Sequence, residues 1–216
     1  MNIKQWLMVG LVPVILSGCA NYISASQYSM VDPDVNYSMN ENIVVAVADK
    51  SDIQSKYYVK PTIEALHKRG FLNVFSESDV KSQAVEVDVE AFVSVNKRSQ
   101  TYQYTSDDYG MVETGTTHTK CNASGTKCTT TKDKKFGVTG SSTKTGIHTI
   151  TTYKLNFWNA DDRRQELLTE GSTYNNVCDT QFLYQFLAEQ TIARLDLNKP
   201  IDYKYTFELP SGTKCR

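Results

Sequence analysis

Between residues 85 and 95 every second side chain is apolar. Val85, Val87, Val89, Ala91, Val93 and Val95 alternate with Glu86, Asp88, Glu90 and Ser94. A period of two places one set on each face of an extended chain. The run therefore predicts a strand with one face in a core and the other towards water. Phe92 is the exception on the wet face. The Glu86/Asp88/Glu90 stripe reads as a solvated sheet face. A cation site needs converging ligands, and side chains two apart on a strand point in parallel.

Other segments supply partners for such a strand. Ile43 to Ala48 is a short, largely β-branched run of the kind found in buried strands. A helix follows, with Pro61 suited to a first turn, Ile63 and Leu66 at helical spacing, and Gly70 as the stop. It starts either near Pro61 or as early as Ser51 with a kink at the proline. Phe71 to Phe75 suggests a short strand or turn. Tyr153, Leu155 and Phe157 alternate with Lys154 and Asn156, and Glu166 to Tyr174 reads as the hairpin partner. A second helix carries Phe182, Leu183, Phe186, Leu187 and Ala193, is capped by Asp179 or Thr180, and is ended by Asn198 and Pro200. Tyr203, Tyr205, Phe207 and Leu209 alternate in a last strand. The expected fold is α+β, a two-layer sandwich. Its sheet is mostly antiparallel, with two helices on one face and a long protruding β-hairpin.

That hairpin is expected at 99–147, where Thr, Ser and Gly make up about half of the residues and large aliphatics are scarce. Such a stretch cannot bury a core of its own; a disordered loop is the competing reading.

The chain opens differently. Lys4 precedes an unbroken apolar run from Trp6 to Leu16. As a helix it spans roughly 16 Å, about half of a bilayer's hydrocarbon core, which suits a signal peptide and not a membrane span. Leu16-Ser17-Gly18-Cys19 follows. This resembles the lipobox of bacterial lipoproteins at each position. The resemblance implies cleavage before Cys19, acyl chains on its sulfur and new amine, and stable membrane attachment, since two or more chains hold where one does not. Ala20 in place of Asp implies sorting to the outer membrane, with the domain on the periplasmic face and exposure at the cell surface as the alternative. An ordinary secretory signal that happens to contain a cysteine is the alternative. Residues 1–18 are thus assigned to the signal peptide, 19–41 to a Ser-, Asn- and Tyr-rich tether, and 42–216 to a single domain.

Without Cys19, four cysteines remain: Cys121, Cys128, Cys178 and Cys215. An even number in an exported chain reads as two disulfides. Cys121 and Cys128 flank a turn-like NASGTK, which suits a bridge across a hairpin; their spacing is too wide for the usual zinc pair. Cys178 and Cys215 then pair. A helix of roughly 27 Å and a returning strand of roughly 26 Å bring the tail back to the helix start.

The 216 residues carry 23 Lys+Arg against 24 Asp+Glu, a net charge of −1. That argues against a nucleic-acid partner, which calls for a basic face. No nucleophile, P-loop, dinucleotide or zinc-protease motif occurs. An enzyme would have to assemble His118 or His148 with Asp107 or Asp108; the expectation is no enzyme, no cofactor and no metal. The helix ending in Leu66-His67-Lys68-Arg69-Gly70-Phe71, the valine strand and the closing strand–helix–proline–strand resemble small bacterial lipoproteins of the DUF4136 type, a likeness that leaves out the arm. The expected role is structural or assembly work beside an envelope protein partner. A binding module using Tyr102, Tyr104, Tyr109 and Trp158 as an aromatic surface is the second reading.

Overall fold

The computed structural model describes residues 22–174 and 178–209, with Thr213 and Cys215. Residues 1–18, expected to be a signal peptide, and Cys19 lie outside the described residues. One sheet holds β1 (Tyr22–Val31), β2 (Asn42–Val47), β3 (Asn73–Ser76), β4 (Val89–Cys121), β5 (Cys128–Asn159), β6 (Gln165–Thr173) and β7 (Ile201–Glu208). Their order across the sheet is β3-β2-β4-β5-β6-β1-β7. The helices are α1 (Ile53–Lys56), α2 (Val59–Arg69), α3 (Glu77–Gln83) and α4 (Thr180–Ala193). The fold is α+β, dominated by the sheet.

The sheet is mixed. β2 runs parallel to both β3 and β4, and the remaining pairs are antiparallel. A helix between two strands carries the chain back to its starting end, so α1 and α2 after β2, and α3 after β3, impose parallel pairing.

The tether expected over 19–41 is corrected. Tyr22–Val31 is a strand, paired to β6 on one side and β7 on the other. Its buried positions are Ile23, Ala25, Gln27, Ser29 and Val31. Two of these are polar, which hides the period of two from a search for apolar residues. Gln27 is buried because its Nε2 donates to the Thr191 carbonyl (2.8 Å) and its Oε1 accepts from the Tyr203 hydroxyl (3.3 Å). A buried amide satisfied at both ends is tolerated where an unpaired one is not. The chain between β1 and β2 is also engaged, since Tyr37 packs edge-on against Phe157.

Pro61 sits in the first turn of α2, and a separate turn, α1, precedes it with Asp52 as its cap. An unbroken helix would have left the Tyr57 carbonyl facing a proline that has no N–H to give. Gly70 ends α2 with φ of 117°, a left-handed conformation that a side chain would strain. The helix α3 has no buried residue, which is why apolar spacing does not reveal it. Its signal is polar: Ser76 and Asp79 form a reciprocal capping box. It ends at Ala84, so the strand expected from Val85 starts at Val89.

The core lies between the sheet and the helices. Val89, Ala91, Val93 and Val95 of β4 and Tyr153, Leu155 and Phe157 of β5 are buried on one face. Leu66 of α2 and Leu183, Leu187 and Ile192 of α4 close over them. Tyr153 and Gly171 are cross-strand partners. The Tyr153 hydroxyl lies 2.8 Å from Thr62 Oγ1 on α2. A Cβ on Gly171 would come within 2.0 Å of Thr191 Oγ1 on α4. Both long helices therefore sit on the same side of the sheet, and Gly171 is where the backbone of β6 meets α4 most closely. Ala193, expected on the apolar side of α4, is exposed.

Gly171→Ala is expected to destabilise the protein by about 1–3 kcal/mol, because α4 must lift to admit a methyl group. Adding Thr191→Ala should recover part of that loss, measured as a non-additive double-mutant cycle in chemical denaturation. A second outcome concerns alkali. Burial raises the phenols of Tyr37, Tyr153, Tyr184 and Tyr205; the Tyr184 and Tyr205 phenols are pushed up to about 12. The folded protein keeps protons that the unfolded chain loses near pH 10. Stability from these groups is thus complete below pH 10 and falls as pH rises beyond it. The fully buried Tyr153 contributes to this loss. Tyrosinate absorbance should lag for these residues and then rise together with the loss of far-ultraviolet dichroism.

Candidate functional site

The β4–β5 ladder runs from Val89↔Asn159 in the body to Cys121↔Cys128 at its tip. β2 leaves β4 at Val93, and β6 meets β5 only from Thr151 onwards. Beyond those points, among the described residues, the two strands continue alone as an arm of roughly 75 Å. Register shifts fall between Asp108 and Tyr109 and between Glu113 and Thr117. The arm forms because its threonines favour extended backbone although they bury nothing.

Both disulfides are present, Cys121–Cys128 and Cys178–Cys215. The first closes the arm's tip. There the Asn122 N–H donates to the Lys127 carbonyl (2.9 Å), the Lys127 N–H donates to Asn122 Oδ1 (3.1 Å), and Gly125 takes a φ of 68°. The second ties the residue before the α4 cap to the chain after β7, and the two cysteines form an isolated antiparallel bridge.

The four aromatics proposed as a binding surface do not gather. Tyr102 and Tyr104 lie together near the arm's base, with ring centroids 5.8 Å apart. Tyr109 is farther out and stacks on Phe136 at 5.9 Å. Trp158 is at the opposite end of β5, beside Glu90 and Gln165, roughly 40 Å from the row of Tyr102. A different set assembles around Tyr102. The His148 ring stacks on it at 4.0 Å with planes 6° apart, and Tyr174 meets His148 edge-on at 5.5 Å. Tyr102 also leans over Gly146, where a Cβ would fall 2.6 Å from its ring. Beside Tyr174 lies an open hollow floored by Ser24, Ser26, Lys204 and Thr206. The roles of His148 and Tyr174 follow from cross-strand register, which residue types alone do not give.

The histidines are far apart. His118 Nε2 lies 2.9 Å from Asp133 Oδ2 towards the tip, whereas His148 is at the base, so neither joins Asp107 and Asp108 in one constellation. His67 Nδ1 is 3.0 Å from the Phe71 carbonyl oxygen. Asp88 and Glu90 of the acidic stripe hold the fold. Asp88 Oδ2 accepts from the Asn42 N–H at 2.8 Å, and Glu90 pairs with Arg163. Among the described residues no three His, Cys, Asp or Glu side chains gather as metal ligands. No described helix is long and apolar enough to cross a membrane.

A further surface is the sheet face away from the helices. One apolar row crosses five strands there: Ala46, Phe92, Asn156, Leu168 and Met30, interrupted only by the asparagine. Around it the face is polar, with Lys154 and Glu170 paired at 2.9 Å.

No family model and no curated protein matches the sequence. Among solved structures, the PelC dodecamer from Paraburkholderia phytofirmans, also present as a point variant in a second crystal form, aligns with a TM-score of 0.44. Identity is 9%, over 78% of this chain and 96% of that one. A PDZ domain protein from Parabacteroides distasonis aligns with a TM-score of 0.42 and 10% identity, over 86% of this chain and 39% of that one.

Proposed function

We propose that this chain is a non-enzymatic lipoprotein, held in the outer membrane by acyl groups on Cys19. Its body, read as a two-layer α+β sandwich with a protruding hairpin, is a structural or assembly component of an envelope complex on the periplasmic face. The observation that carries the proposal is the Leu16-Ser17-Gly18-Cys19 sequence standing three residues before Tyr22, where β1 enters the sheet. Three residues reach about 10 Å at most, so an acyl anchor at Cys19 would hold the body close to the bilayer. Direction supports the same reading. Thr173 pairs with Ala25 of β1 and with Thr151 of β5, so β1 begins at the end of the sheet from which the arm leaves. Anchor and arm then share one end of the molecule, and the arm extends on the membrane side of the body. His67, Asp88 and Glu90 are engaged in folding contacts.

A second reading, a module for a glycan, peptide or small ligand, is favoured by one observation: Tyr174 walls an open hollow with a hydroxyl- and lysine-bearing floor.

Metabolic labelling with an alkynyl palmitate analogue tests the first reading. Wild-type protein should take up label and sediment with membranes, and Cys19→Ala should lose both. An unlabelled wild-type protein, in cells where a known lipoprotein is labelled, rejects it. For the second reading, a cell-envelope oligosaccharide titrated onto the protein should shift the Tyr174 ring resonances, and Tyr174→Ala should weaken binding by up to about tenfold, the worth of one aromatic contact.

A further inference from the structure

The arm's two outer edges are where the fold is least complete. A two-stranded ribbon is marginal in water without a third strand or a packed face. Here one runs through residues 99–147 with β2 and β6 both left behind. Each strand therefore presents a row of outward N–H and C=O groups, a template for another strand. No proline interrupts either edge in this segment.

The edges differ in charge. Along the arm β4 carries Asp107, Asp108 and Glu113, with Lys120 near the tip. β5 carries Lys132, Lys134, Lys135 and Lys144, with Asp133 as the single acid. Only part of this charge is used inside the hairpin: Glu113 pairs with Lys132 at 2.8 Å, and Asp133 with His118. Among the described residues Asp107, Lys134 and Lys135 enter no ion pair, and Lys144 reaches only the Ser106 hydroxyl at 3.0 Å. Two β4 edges brought together would oppose acids to acids, and two β5 edges lysines to lysines. Only a β4 edge against a β5 edge sets opposite charges side by side.

We propose that the arm is a docking surface for further copies of this chain, the β4 edge of one copy pairing antiparallel with the β5 edge of the next. The occupant is a second copy because the complementary edge is on this chain itself. The contact is head-to-tail, so it repeats until the row closes on itself, and closure removes the last exposed edges. One more feature fits. Tyr109, Met111, Phe136 and Val138 lie on one face of the ribbon, with Phe136 72% exposed and Tyr109 61%. In a row of arms these patches stand next to one another and shield each other from water. The same lysines that keep β5 edges apart meet carboxylates when a β4 edge arrives. The pairing does not depend on acylation of Cys19, so it and the lipoprotein reading fail independently.

The test uses the full chain in mild detergent, followed by sedimentation velocity. Wild-type protein should associate, and added salt should shift it towards monomer as the edge charges are screened. One variant reverses β5 (Lys132→Glu, Lys134→Glu, Lys135→Glu and Lys144→Glu). A second reverses β4 (Asp107→Lys, Asp108→Lys and Glu113→Lys). Each alone should sediment as monomer. An equimolar mixture should associate again, because every β4 edge then finds an oppositely charged β5 edge on the other variant. Charges inside each hairpin stay mismatched, so recovery cannot come from repair of the arm. Thermal melts should show the body unchanged, as the substituted side chains lie outside the core. A wild-type protein that is monomeric throughout, or whose association ignores salt, overturns the proposal. So does a single variant that assembles like wild type, or a mixture that stays monomeric, as it would if the arm served a different partner.

Discussion

β4 and β5 are each one continuous strand, and one end of each lies in the core. At that end Val89, Ala91, Val93 and Val95 stand in register with Asn159, Phe157, Leu155 and Tyr153. A slip of one residue would turn this whole buried set towards water, so the body fixes the register firmly. The arm has no core to fix its own. It inherits its pairing from the body and changes it only at the two shifts beyond Asp108 and Glu113. Which aromatic meets which histidine, and which acid meets which lysine, is set tens of ångströms away by packing under α2 and α4.

Hydroxyls join that packing to the helices. Tyr153 is fully buried, and its phenol meets Thr62 Oγ1, which itself donates to the Tyr58 carbonyl at 2.7 Å. Tyr58 in turn packs edge-on against Tyr184 of α4. On the other flank Arg194 lies over the Tyr205 ring at 4.5 Å, and Phe186 contacts Phe207. Large rings fill wide gaps between sheet and helix; the Tyr153 phenol has a hydrogen-bond partner there, whereas among the described residues the Tyr184 and Tyr205 phenols have none.

Much of the body is legible residue by residue. The alternation at 89–95 and 153–157, the cap at Asp179, the proline in the first turn of α2 and the stop at Gly70 are local signals, and local geometry obeys them. Other elements carry signals of another kind. β1 is concealed by buried Gln27 and Ser29, and the place of Gln27 in the core depends on contacts with α4 and β7. α3 is marked by its capping box alone. The candidate surface is less legible. Tyr102 and Tyr104 are adjacent by spacing, but the ring stacked on Tyr102 comes from His148, across a ladder whose register no short window contains.

The amino-acid sequence by itself determined the chain's local preferences: which stretches alternate, where helices begin and stop, and where a polar arm can extend without a core. These follow from sterics and burial within a few residues. Only the tertiary structure decided that the segment before Asn42 enters the sheet between β6 and β7, that β2 runs parallel to both neighbours, and that the arm leaves from the end where β1 begins. The reason is physical. Strand order and register are chosen by contacts between residues far apart in the chain, and their free energy depends on the whole assembled core.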